Sequence, residues 1–279
     1  LDIGLSLKYS ATDAYGEAGS FWGFNLSKVT LDLKRGNTKF ISSASCFNSK
    51  AENLYLNGAR LIPIGNGIWA SKLNSGRDLL HCQQNGFIYY KSTGEIFYYG
   101  SNNESQVADN SGNAIEWYLT KKSTRQGSQE INYIYTKPFL SSDLLGFDQQ
   151  NKFNFNSKPL LASIQADDVS VNIEYEENTF KNPHFFGGFP QIIFGRAKNI
   201  SILKKQSLIR SYFINYEDSN KTSFPRLSSV QEFGSDGTTA LPKTIFSYRG
   251  ANSSLAESFN SVNETYDYSL SPLKRSTAK

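Results

Sequence analysis

Two histidines, His81 and His184, are the only side chains in the chain whose ordinary pKa suits proton transfer near neutrality. A Ser-His-Asp relay could be assembled around either one from the many serines and aspartates. Nothing local supports it, because no Gly-x-Ser-x-Gly elbow and no Cys-His pair in a recognisable setting is present. His184 lies in a Pro/Gly/Phe-rich run, where a turn or surface role is commoner. Zinc would need more Cys and His at useful spacing than exist here. Gly234-Ser235-Asp236-Gly237 could offer calcium one carboxylate, but an isolated Asp-Gly is far more often only a turn. There is no phosphate-cradling Gly-x-x-x-x-Gly-Lys.

Glu174-Tyr175-Glu176 places two carboxylates on one face of a strand, a spacing that ADP-ribosyl transfer exploits. Ordinary polar-out alternation produces the same spacing, and no companion Ser-Thr-Ser strand or upstream Arg motif accompanies it. The expectation is therefore no catalytic residue, no cofactor-binding residue and no metal ligand. Cys46 and Cys82 are the only cysteines. They could form one disulfide in an exported protein, but the preferred reading is two free buried thiols, since the chain does not look stapled. Six Asn-x-Ser/Thr sequons, at Asn25, Asn103, Asn199, Asn220, Asn252 and Asn263, are what chance gives in an Asn/Ser-rich sequence.

The elements around these residues read as strands. The apolar share leans on 20 Phe and 16 Tyr, which suit a pleated, half-buried surface, and 21 Gly supply turns. Leu5 to Ser10 alternates, and Phe24 to Leu31 alternates again as a second strand. Leu54-Tyr55-Leu56, then Asn57-Gly58, then Ala59 to Ile62 predicts a hairpin on a type I′ turn. Gly86 to Tyr90 and Ile96 to Gly100 predict a second hairpin. Its consecutive aromatics imply strands covered on two sides or facing a partly enclosed interior. Ile115 to Thr120 pairs with Ile131 to Tyr135, and Leu160 to Ile164 pairs with Val169 to Glu176. Asn199 to Leu203, Leu208 to Glu217 and Phe224 to Phe233 add three more strands, with Tyr212, Ile214 and Tyr216 sharing a face.

Pro138 to Pro159 reads as a long irregular loop, and Asn182 to Gly195, with its prolines, glycines and phenylalanines, as another. From Ala251 the sequence turns polar and loses period, so residues 1–250 form the β domain and 251–279 a polar linker or tail. No stretch of a dozen residues carries helical periodicity, and no apolar run approaches the roughly 20 residues of a membrane helix. The chain has no Met, position 1 included, so it is expected to be a processed piece or a segment of something longer. Net charge is +4, with Lys34-Arg35, Lys121-Lys122 and Lys204-Lys205 the densest basic spots. Scattered solvated charge explains these better than a nucleic-acid stripe.

In order along Gly4 to Tyr248, the strands resemble the N-terminal domain of the SpvB family. That domain is shared by the Salmonella virulence plasmid B protein and the B component of insecticidal Tc toxin complexes. Gly4 to Ser10 is similar to the family's opening GLSLSYSS, and Phe21 to Leu26 to its GLGWSL, with Phe24-Asn25 where Trp-Ser is usual. Leu54 to Leu61 resembles LDGxxL, Thr93 to Ser101 resembles DGxxYxYG, and Ile173 to Glu176 resembles FEYE. Trp117 to Ser128 resembles WxLxxxxDRxGN with Thr124 and Ser128 in place of Asp and Asn. Arg226 to Gly237 is similar to RLxSIxExGxDG, and Leu241 to Tyr248 to LPPTxFSY.

The resemblance implies an all-β, mainly antiparallel domain, sandwich-like or part of a curved β-shell, with no catalysis of its own. It implies a structural module of a bacterial toxin, helping to build a hollow shell that encloses and delivers a toxic cargo. The implied partners are a following β-propeller, Rhs-repeat shell modules, the toxin C component and the A component, without nucleic acid and without membrane insertion by this segment. The implied location is cytoplasmic before export and extracellular after it. Two other functions stay open on the residues. One is a secreted or surface module binding carbohydrate or protein through Trp22, Trp69 and the Tyr-rich hairpins. The other is a small enzyme using His184 or the Glu174/Glu176 pair.

Overall fold

The computed structural model describes residues 4–10, 16–31, 54–72, 76–108, 112–137, 156–178, 184–186, 189–218 and 225–248. Among the described residues strand accounts for 66% and no α-helix is found. Strands β1 (Leu7–Tyr9) and β2 (Trp22–Phe24) form a small antiparallel sheet of their own. The expected single strand from Phe24 to Leu31 is broken instead at Asn25–Ser27. The Leu26 N–H turns back onto the Phe24 carbonyl at 2.9 Å, so β2 and β3 (Lys28–Leu31) belong to different sheets.

From β3 the chain builds a barrel. β4 (Leu54–Leu56), β5 (Ala59–Gly65), β6 (Ile68–Ser71), β7 (Leu79–Gln83), β8 (Gly86–Tyr90) and β9 (Glu95–Tyr99) each lie antiparallel to the one before. The β4–β5 turn is the predicted one, with Asn57 and Gly58 at φ 51° and 81°, the left-handed values a type I′ turn requires. One turn of 3₁₀ helix (Asn103–Ser105) and β10 (Gln106–Ala108) then lead into β11 (Ala114–Thr124).

β11 closes the ring. Its Glu116–Tyr118 segment pairs with β3 and its Leu119–Thr124 segment pairs with β9, making a closed eight-stranded barrel of β3 to β9 and β11. A strand has only two edges, so this long strand divides each between two neighbours. β10 also pairs at Gln106↔Trp117 and Val107↔Glu116, while β12 (Glu130–Thr136) pairs at Lys121–Ser123.

Beyond β12 the sheet runs outward through β14 (Leu160–Ala166), β15 (Val169–Glu177), β18 (Gly195–Lys204), β19 (Ser207–Asp218), β20 (Pro225–Phe233) and β21 (Thr244–Ile245). The remaining strands, β13 (Asn156–Ser157), β16 (His184–Phe186) and β17 (Phe189–Ile192), form a third sheet. It contains the only parallel pairing among the described strands, β13 with β17. The run expected to be loop from Asn182 to Gly195 thus contains a hairpin, with Pro190 opposite Phe185. A proline lacks a donor but not an acceptor, so a short strand accommodates it.

The aromatic hairpin faces an enclosed interior. Phe87 opposes Tyr99 and Tyr89 opposes Phe97, all four buried, while Ile88, Tyr90, Ile96 and Tyr98 alternate toward the outside. Trp69, Leu80, Leu31, Leu54 and Leu61 complete the barrel core, with Trp69 edge-on to Phe87 at 5.9 Å and Phe87 edge-on to Trp117 at 4.9 Å. In the outer sheet, Ile164, Val171, Ile173, Ile200 and Ile214 are buried, as the alternation predicts. Cys82 is buried on β7 and is disulfide-bonded, which corrects the expectation of free thiols. The one other cysteine in the sequence, Cys46, lies outside the described residues, as do residues 251–279, Lys34-Arg35 and most of Pro138 to Pro159. By contact clustering the chain divides into Leu1–Ile245 and Phe246–Lys279.

Candidate functional site

At the shared strand β11, a carboxylate sits inside an otherwise apolar run, Ile115-Glu116-Trp117-Tyr118-Leu119, every residue of which is buried. The Lys28 ammonium on β3 donates to Glu116 Oε1 at 2.6 Å, and the Tyr118 hydroxyl donates to Oε2 at 3.0 Å. Burial acts most strongly on Glu116 and pushes its pKa up. The charges of Lys28 and Lys158, with the hydrogen bonds from Lys28 and Tyr118, outweigh it and leave the carboxyl below its usual range. Burial and the neighbouring carboxylates Glu116 and Glu17 push Tyr118 well above the usual phenol range.

Further tyrosines fasten strand to strand across this seam. Tyr135 donates to the Leu119 carbonyl at 2.9 Å, Tyr175 to that of Leu161 at 2.9 Å, and the Tyr99 hydroxyl meets that of Ser27 at 2.9 Å. Each ties one strand of the large sheet, or the residue leading into it, to a neighbouring strand.

The far end of the long sheet is built differently. β20 is paired along its whole length with β19, but its other edge meets β21 only at Ser229↔Ile245 and Val230↔Thr244. The Leu241 N–H returns to the Glu232 carbonyl at 2.9 Å, and Gln231 Nε2 donates to the Leu241 carbonyl at 3.2 Å. Asp236 sets the intervening turn by accepting from the Thr238 and Thr239 amides at 3.0 and 2.9 Å and from the Thr239 hydroxyl. Those bonds, the Thr239 hydroxyl first, hold its carboxyl well below the usual range and occupy both its oxygens. The terminal strand carries Ile245 at 73% exposed, with Leu241 exposed beside it. The edge is two residues long and is preceded by exposed Pro242 and Lys243, with Ile245 left bare on it.

The residues singled out for chemistry are dispersed. Glu176 pairs with Arg196 at 2.6 Å, and Glu174 is exposed and accepts from Asn199 Nδ2 at 3.4 Å, with a bulge between Glu174 and Tyr175. His184 lies opposite Gln191 in the third sheet. The His81 side chain, on β7, makes no hydrogen bond among the described residues; its ring meets that of Tyr90 edge-on at 5.0 Å, and burial lowers its pKa. Among the described residues no group of three or more His, Cys, Asp or Glu could hold a metal. Trp69 is fully buried and contacts no solvent, whereas Trp22 is half-buried against Tyr9, which is 52% exposed.

Of the basic spots, Lys121 lies over the Tyr98 ring at 4.6 Å and pairs with Glu130 at 3.1 Å. Lys204-Lys205 forms a tight turn with Lys205 and Gln206 at positive φ. Sequence reading missed the Lys28–Glu116 pair and the sharing of β11. A lone Glu within five apolar residues was the available signal for the first.

The molecule is an all-β domain in which a closed barrel and an open antiparallel sheet share one strand. That is the fold of the N-terminal domain of the effector protein SpvB from Salmonella typhimurium strain LT2. The two align with a TM-score of 0.59 at 11% identity over 84% of this chain and 94% of that one. The crystal structure of TcdB2-TccC3 aligns with a TM-score of 0.66 at 12% identity, and the Photorhabdus luminescens Tc holotoxin pore with 0.64 at 12%. Each covers 88% of this chain, which spans only 15% of either toxin chain. No family model and no curated protein sequence matches.

Proposed function

We propose that this chain is a non-catalytic structural module of a bacterial toxin or virulence protein, supplying β-sheet to a hollow shell that encloses and delivers a cargo. The observation that carries the reading is the sheet itself. Among the described residues, hydrogen bonding passes unbroken from the closed barrel to β21, where it ends on a short strand with Ile245 uncovered. A following module adds its own strand there, which satisfies the edge and extends the wall. The fold shared with SpvB and with Tc toxin chains supports a toxin setting; the partners proposed with it are a following propeller, Rhs-repeat modules and the A and C components. A buried disulfide-bonded Cys82 favours an oxidising, extracellular destination. Among the described residues no helix is long and apolar enough to cross a membrane.

Hydrogen exchange tests the reading. Backbone amides of 241–246 are followed in the isolated chain and in the longer protein that contains it. Stronger protection in the longer protein is expected, and equal exchange in both would remove the edge-pairing proposal.

A further inference from the structure

The end of the barrel holds a cavity of about 130 Å³ that the shell role does not use. Its floor is a cross-strand pair. Gln106 on β10 stands directly opposite Trp117 on β11, so both side chains leave the same face of the sheet. Gln106 is 9% exposed and Trp117 3%. The Gln106 amide nitrogen donates to the carbonyls of Asn85 at 2.7 Å and Gly100 at 2.6 Å, which takes both its N–H groups and fixes the plane of the carboxamide. Its carbonyl oxygen has no partner among the described residues, and neither has the Trp117 indole N–H. An acceptor and a donor without partners therefore sit on two residues that line the cavity, where solvent reaches them. The mouth is formed by exposed amide side chains, Gln83, Gln84 and Asn85 on the β7–β8 turn and Asn103 on the 3₁₀ turn.

No lining residue ionises. That composition selects against phosphates, carboxylates and metal ions, each of which needs opposite charge or anionic ligands. The exposed carboxamides at the mouth each present an acceptor and a donor next to each other, which two neighbouring hydroxyl groups can engage together. We propose that this cavity binds a neutral polyhydroxylated ligand, a single sugar residue at the end of a glycan. The Gln106 carbonyl and Trp117 N–H would take its hydroxyls. The site is independent of the shell reading and uses different residues.

Calorimetric titration of the 279-residue chain with glucose, galactose, mannose and N-acetylglucosamine tests it, with glucuronate, sialic acid and a neutral tripeptide as comparisons. At least one neutral sugar is expected to bind with a Kd of about 1 mM and to perturb tryptophan emission. Gln84→Ala or Asn103→Ala, both on the exposed rim and harmless to folding, is expected to weaken binding by about three- to tenfold. Three outcomes would overturn the proposal: no neutral sugar saturating the chain, binding unchanged in both rim variants, or binding confined to the acidic sugars or the peptide.

Discussion

At the scale of single residues, the Lys28–Glu116 pair is the most consequential contact in the barrel. Glu116 is buried between Ile115 and Trp117, so its charge is tolerated only because Lys28 and Tyr118 reach it. Lys28→Met is expected to destabilise the chain by about 3 kcal/mol, because it strands a buried carboxylate, while Lys28→Met with Glu116→Gln recovers most of that loss. Urea unfolding measures both. The sign of the pH dependence follows from the lowered Glu116 pKa. Its stabilisation is complete above the ordinary carboxylate range and is lost as pH falls through the folded-state value, so Glu116→Gln should flatten the acid limb of the stability profile.

Two glycines separate conformational strain from crowding. Gly58 and Gly100 both sit at positive φ, 81° and 67°. A Cβ at Gly58 would meet nothing within 4 Å, whereas at Gly100 it would come 2.4 Å from Trp117 Cδ1. Gly58→Ala is expected to cost about 1 kcal/mol and Gly100→Ala at least about 3, since the second adds overpacking to the same backbone penalty. Thermal and urea melts of the two variants check the ordering.

At the scale of elements, β11 and β21 are opposites. Ser123 on β11 is paired with Ile96 on one side and Glu130 on the other, so the strand has no spare edge there. Among the described residues β21 has one neighbour and ends the sheet. Substituting Ile245 with Lys should leave the isolated chain within about 0.5 kcal/mol of its original stability, because the side chain already faces water. The same change should weaken protection of 241–246 in the longer protein if that edge is where a module attaches. Denaturation of the isolated variant and hydrogen exchange of the longer one give the two readings separately.

At the scale of the whole molecule, a chain of consecutive hairpins closes on itself at β11 and then continues as an open sheet. Closure removes the edges of the barrel and leaves the hazard and the opportunity of an edge at the far end. The disulfide at Cys82 constrains the unfolded chain. Reduction, or Cys82→Ser, is expected to lower stability by about 3–4 kcal/mol, read as a drop in the urea midpoint with reductant, and thiol titration of the unreduced chain should find no free sulfhydryl.

Local chemistry is what the sequence determined. Asn57-Gly58 forces a left-handed turn, Val169 to Glu176 alternates, and Gly86 to Tyr99 folds back on itself, because each depends on neighbours a few residues away. The order of motifs along Gly4 to Tyr248 also pointed to the fold that the structure has. Pairings between distant residues were decided only in three dimensions. No periodicity in β11 says that Glu116 will lie opposite Thr30 within reach of Lys28 and Ser123 opposite Ile96, since one strand edge is chemically like another until its partners arrive. The third sheet hid within a Pro/Gly-rich run for the same reason, its β13–β17 pairing joining segments more than 30 residues apart. The Gln106–Trp117 pair also exists only once β10 lies on β11. Side-chain pattern fixes which residues turn inward, while closure of the ring fixes whom they meet.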